Sequence, residues 1–151
     1  MAALKDRLQA DLTVAMKARD ELTTATLRMV LTAVGTEEVA GKAARELSDD
    51  DVLAVLRREA KKRREAATAY ADGGRPERAE REKAELGVVE GYLPAQLGDD
   101  ELADLVRTAV QQTGAQGKQA MGQVMKAVQV LVGGRADGGR VSAEVRRQLA
   151  G

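Results

Sequence analysis

Three stretches of this chain hold residue types at spacings that could do chemistry. The first is Arg57-Arg58-Glu59-Ala60-Lys61-Lys62-Arg63-Arg64, with six cations in eight residues. On a helix such a run could grip phosphates, each contact adding salt-sensitive affinity, or dock a protein partner. The second is Ser48-Asp49-Asp50-Asp51, whose consecutive carboxylates could hold a hard cation through one or two oxygens. Asp99-Asp100-Glu101 offers the same donors. The third is Gly133-Gly134-Arg135-Ala136-Asp137-Gly138. Glycines before a helix start expose backbone amides to an anion, and Arg135 could add a fork of donors.

Each stretch also has a structural use, and the sequence favours it. The acidic runs sit where helices should begin, so their charge opposes the positive end of the helix dipole. The basic run can pair with Glu77, Glu80, Glu82 and Glu85 on the next helix. Arg63 falls on that helix's apolar seam, so its methylenes should pack while its guanidinium reaches out. Asp137 would itself cap the amides behind the glycines, and an Arg135–Asp137 lock would close that turn.

Catalytic chemistry has little to work with. The 151 residues include no His and no Cys, which removes the commonest general base and metal ligand and every thiolate site. The only serines are Ser48 and Ser142, and neither has a histidine partner. There is no Gly-rich loop ending in Lys-Ser/Thr, so nucleotide hydrolysis has no support. The expectation is no catalytic residues, no metal and no cofactor. Acidic and basic residues balance at 24 each, which denies the chain any long-range attraction to nucleic acid or anionic lipid. No apolar run approaches the roughly 20 residues needed to cross a bilayer. Met1 to Leu12 mixes both charges unlike a signal peptide. A cytoplasmic location without membrane attachment is expected.

The elements that must position these groups are helices. Leu4, Leu8, Leu12 and Ala15 recur at helical steps and predict a helix over 3–18. Asp20 should cap a second helix with Leu22, Ala25, Met29 and Ala33 on its stripe, widened by Leu27, Val30, Leu31 and Val34. Ser48 with Asp51 resembles a capping box opening a helix to about Tyr70. Pro76 suits the first turn of a helix over 76–90. Tyr92-Leu93-Pro94 breaks that helix. Beyond it, helices are predicted over 99–112, 118–132 and 138–150, with Gly114 closing the first and Asp137 capping the last. With neither Phe nor Trp in the chain, the core must be aliphatic. The fold class is all-α: a four-helix, hairpin-rich N-terminal domain over 1–93, then a three-helix domain over 98–151. The second is small enough that docking on the first should help it fold.

Arg28-Met29, Tyr92-Leu93-Pro94-Ala95-Gln96-Leu97, Met121-Gly122-Gln123-Val124-Met125 and Gly134-Arg135-Ala136-Asp137-Gly138, in that order, resemble the YqeY family. The resemblance spans essentially the whole chain. It implies that the C-terminal domain is similar to the tail of the GatB subunit of the glutamine-dependent tRNA amidotransferase, a part associated with tRNA binding. A label of carbon–nitrogen ligase with glutamine as amido-N-donor can travel with the family. The phosphorylating and glutaminase sites of that enzyme lie outside the part resembled. Many relatives carry Met-Pro-Lys-Val-Lys before the GRADG turn, where this chain has Gln129-Val130-Leu131-Val132-Gly133.

Two readings of function follow. In the first, implied by the resemblance, the chain is a non-catalytic accessory protein that binds tRNA or a tRNA-processing complex through Lys118, Lys126, Arg135, Arg140 and Arg146. In the second it is a protein–protein adaptor that docks its partner on the charged 48–90 hairpin through Arg57, Arg58, Lys61, Lys62 and Arg64. A free-standing amide-transfer enzyme is the third and least supported.

Overall fold

A computed structural model describes residues 3–114 and 116–150. These residues form seven α-helices and one 3-10 turn, with no strand among them. The chain divides into two compact units, Met1–Leu93 and Pro94–Gly151.

The first unit holds α1 (Ala3–Lys17), α2 (Glu21–Glu38), α3 (Asp49–Asp72) and α4 (Pro76–Glu90). Local chemistry sets their ends. The Asp20 carboxylate accepts from Thr23 N at 3.1 Å and from Thr23 Oγ1 at 2.7 Å, so it caps α2 as its position predicts. Ser48 and Asp51 form a reciprocal box: Asp51 N donates to Ser48 Oγ and Ser48 N donates to Asp51 Oδ2, both at 3.2 Å. Pro76 opens α4, where a missing N–H costs nothing. The four helices close over Leu8, Leu27, Val30, Val34, Leu47, Val52, Leu56, Ala60 and Val89, with Tyr92 and Leu93 packed at the edge.

Two expectations are corrected here. The buried stripe of α2 is Thr26, Leu27, Val30 and Val34. Met29, expected inside, is 41% exposed. Both stripes of α2 are apolar, and only contact with the other helices selects between them. Arg63 does not reach out of its seam either. It is 5% exposed, with its guanidinium buried among acidic partners.

The second unit holds α5 (Asp99–Thr113), a 3-10 turn (Lys118–Ala120), α6 (Met121–Val132) and α7 (Gly138–Ala150). The stretch predicted as one helix from 118 therefore starts with a tighter turn. Gly114 ends α5 with φ 63°, a left-handed conformation in which a side chain would be strained. The three helices bury Leu97, Leu102, Val106, Ala109, Val124, Val128, Val132, Val141 and Val145. One face per helix at 3.6-residue spacing suffices, because each helix is covered on one side only.

Candidate functional site

Within the second unit, the glycine turn meets the end of the YLPAQL segment through Leu97, Arg135 and Arg140. Gly133 and Gly134 take φ values of 56° and 77°, which reverses the chain at the end of α6. The reversal brings the Arg135 guanidinium back onto the helix it has just left. Arg135 Nε donates to Val132 O at 2.9 Å and Nη2 donates to Leu131 O at 2.8 Å. Both carbonyls belong to the last turn of α6, where helix geometry leaves acceptors over, and Val132 O also accepts from Arg135 N at 3.1 Å. The carbonyl of Arg135 accepts from Leu97 N at 2.7 Å. Arg140 then donates from Nη2 to Leu97 O and to Asp99 Oδ1, both at 2.9 Å. Leu97 is thus fixed at both backbone groups by the turn and the first coil of α7.

The expected Arg135–Asp137 lock is therefore not the one formed. Asp137 accepts instead from Gly139 N at 2.9 Å and caps α7. A carboxylate at that helix start competes with any incoming phosphate. The turn holds helices together, and Arg135 and Arg140 are its tie points.

The remaining cations of this unit sort by partner. Arg107 pairs with Asp104 at 2.6 Å, and Arg147 with Glu144 at 2.6 Å. The Arg147 guanidinium holds the Glu144 carboxyl below the usual glutamate range. Among the described residues, Lys118, Lys126 and Arg146 have no carboxylate within ion-pair distance. Lys118 and Arg146 line one cavity of about 420 Å³ with Met121, Leu149 and Ala150. Of the five cations predicted for nucleic acid, two serve the fold and three carry free charge.

The basic run on α3 sends its ion pairs in several directions. Arg58 leaves the hairpin and pairs with Glu37 on α2 at 3.2 Å. Lys62 pairs with Glu59 on its own helix at 3.4 Å. Only Arg63 and Arg64 cross to α4, reaching Glu85 at 3.7 Å and Glu90 at 3.6 Å. The expected ladder with Glu77, Glu80 and Glu82 does not form: Glu80 takes Lys83 at 3.3 Å. Arg57 is half-buried, with its Nε lacking a hydrogen-bond partner among the described residues. Lys61 is exposed.

A chain of ion pairs runs from the exposed Glu21 and the half-buried Arg81 to a buried cluster of Glu85, Arg63 and Glu59. Glu21 of α2 receives two bonds from Arg81 of α4, at 2.9 and 3.0 Å. Arg81 Nε donates to Glu85 at 3.2 Å, and Glu85 faces Arg63. Arg63 Nη1 donates to Glu59 Oε1 and Glu59 O at 3.1 Å, and Nη2 reaches the sulfur of Met29 at 3.7 Å. Glu59, Arg63 and Glu85 are all buried. Burial and the neighbouring Glu85 charge push the Glu82 carboxyl up. Helical spacing marked Arg63 as lying on the apolar seam, and Glu85 was one of four glutamates of the next helix expected to pair with the basic run; of those four it is the one Arg63 meets.

The acidic runs are occupied as helix starts. Asp51 serves Ser48 and pairs with Arg45 at 3.0 Å, and those bonds hold its carboxyl below the ordinary value. Asp49 accepts from Leu4 N at 3.0 Å. Glu101 accepts from Gly98 N at 3.1 Å at the start of α5. None of the helices described is long and apolar enough to cross a membrane.

Comparison with known proteins gives a relative and a family. The chain is similar to "Altered inheritance of mitochondria protein 41, mitochondrial" of Pyrenophora tritici-repentis (strain Pt-1C-BFP). The two are 29% identical over 134 residues, covering 86% of this chain and 71% of that protein. The family described as Yqey-like protein matches residues 5–149, a span that runs from α1 to the last turn of α7 and takes in both motif segments joined at Leu97. The chain belongs to the Yqey-like protein family.

Proposed function

We propose that the protein is a non-catalytic accessory factor whose C-terminal unit contacts tRNA or a tRNA-processing complex. One observation carries this reading. Three cations of that unit, Lys118, Lys126 and Arg146, have no acidic partner among the described residues, and two of them share one cavity. The unit's other cations are spent on carbonyls or carboxylates. The resemblance to the amidotransferase tail names RNA as the anion.

Binding of this kind is weak and held by few phosphates. Three free cations support a slope of about −2 to −3 in log affinity against log salt. No aromatic side chain in the unit offers a stacking platform. Catalysis is left to a partner, since the chain has neither His nor Cys with which to move protons or form acyl intermediates.

A mobility-shift titration with bulk tRNA at low salt tests the reading. We expect a complex that Lys118→Ala, Lys126→Ala and Arg146→Ala together abolish. No shift at tens of micromolar protein sinks it. The cytoplasmic assignment belongs to the same reading and faces a relative with a mitochondrial name. Imaging a fluorescent fusion decides that point.

A further inference from the structure

Helix α2 has a second apolar face that its own unit leaves open. Leu27, Val30 and Val34 are closed in the core, whereas Ala25 and Ala33 are half-covered and Met29 is exposed. Two depressions lie along this face, of about 730 and 420 Å³, and share Arg28 in their walls. Together they follow α2 from Glu21 to Glu37, about 24 Å at 1.5 Å per residue.

The floor is made of small or pliable side chains: Thr24, Ala25, Thr32 and Ala33, with Met29 and, from α1, the half-exposed Met16. Small residues let a second backbone approach closely. Methionine adapts to the side chains that arrive.

Three charges at the margin have no ion-pair partner among the described residues, Arg19, Arg28 and, from α4, Glu82, which leaves a net excess of one cation. Glu21 is held by Arg81, and Glu37 by Arg58. Arg19 and Arg28 have no carboxylate within ion-pair distance among the described residues. Arg19 also has φ 56°, a left-handed conformation that favours glycine. Its side chain lines the groove. Nucleic acid suits this surface poorly. The lining has no aromatic side chain on which bases could stack.

We propose that this face of α2 is a docking groove for one amphipathic helix of a protein partner, its apolar side laid on Ala25, Met29 and Ala33 and its acidic margin met by Arg19 and Arg28. A helix of about sixteen residues matches the groove in length. The proposal is independent of RNA binding by the other unit.

The methionine ε-methyl groups of the full chain report on it by NMR. The probes are a helical peptide of about sixteen residues with Leu and Ala on one face and Glu along its margins, the same peptide with Lys margins, and bulk tRNA. With the acidic peptide, Met16 and Met29 should shift and saturate while Met121 and Met125 stay. The Lys-margined peptide should bind at least about tenfold more weakly. Arg28→Glu should weaken the acidic peptide about tenfold. Arg19→Gly should weaken it several-fold while leaving the fold intact, since glycine accepts that backbone angle.

Three results overturn the proposal. Equal binding of both peptides, or none at millimolar peptide, removes the charge-matched helix. Shifts of Met16 and Met29 with tRNA would make the face a nucleic-acid surface. Shifts on raising the protein concentration alone would make it a contact between two copies of this chain.

Discussion

The Tyr92 hydroxyl donates to Asp11 Oδ2 at 2.5 Å, and the Arg7 guanidinium lies 4.7 Å from the centre of its ring. Burial, with the Asp11 carboxylate beside it, pushes the phenol up to about 12 from 10.0. The folded chain therefore holds this proton more tightly than the unfolded one. The contact stabilises the fold fully below pH 10.0 and is lost as pH rises through about 12. In a Tyr70→Phe background, tyrosinate absorbance should report one group titrating near 12. A titration at the ordinary value would mean that the Asp11 contact is absent in solution. Arg135→Ala should be costly for a different reason. It strips Leu131 O of its donor, whereas Val132 O keeps the Arg135 N–H at 3.1 Å, and an unmade hydrogen bond of this kind costs about 1–3 kcal/mol. Urea unfolding checks it, and Arg135→Lys should recover only part, since one ammonium cannot copy the fork.

Between elements, the relay from Glu21 through Arg81, Glu85 and Arg63 to Glu59 ties α2, α4 and α3 together. Removing one partner of a buried ionic group leaves an uncompensated charge, at about 3–5 kcal/mol. Arg63→Met should therefore destabilise the first unit by that amount. Replacing Glu59, Arg63 and Glu85 together by leucine or methionine should cost far less, because an apolar cluster needs no counter-charge. If single and triple variants unfold at the same urea concentration, the relay is energetically idle. The start of α3 gives a gentler test. Ser48→Ala should cost about 1 kcal/mol. Asp51 has a depressed carboxyl value, so its share of that cap is present above the ordinary aspartate value of 3.8 and fades as pH falls below it. Acid titration of helicity, compared with Asp51→Asn, reads this out.

For the whole molecule, charge is balanced yet unevenly committed. Equal numbers of acids and bases leave no net field, so attraction to any macromolecule must come from locally unpaired cations. Among the described residues those are Lys118, Lys126 and Arg146 in one unit, and in the other Arg19 and Arg28 together with Lys17, Lys42, Arg57, Lys61, Arg75 and Arg78. Binding assays should separate them. Raising salt from 50 to 200 mM should cut tRNA affinity by roughly tenfold or more through the first set. Arg19→Gly and Arg28→Glu should leave that salt dependence unchanged. A tRNA affinity that falls equally with either set would show that one RNA covers both.

Periodicity and end signals mark the seven α-helices among the described residues, though not the 3-10 turn at Lys118–Ala120. Leu, Val and Ala at steps of three and four, Asp20, Ser48 and Asp137 as caps, and Gly114 as a stop are local effects acting over one or two turns. The YLPAQL and GRADG segments also marked the family from sequence alone. Which face of α2 would be buried was decided only in three dimensions, since Leu27–Val30–Val34 and Ala25–Met29–Ala33 are both apolar stripes. So was the fate of the cations. Arg135 and Arg140 look the same in sequence as Lys118 and Arg146. The first pair was claimed by carbonyls and a carboxylate brought near by the chain reversal, Arg140's partners being 41 and 43 residues away. Charge type is written in the residue, but whether a charge is free depends on what the fold sets beside it.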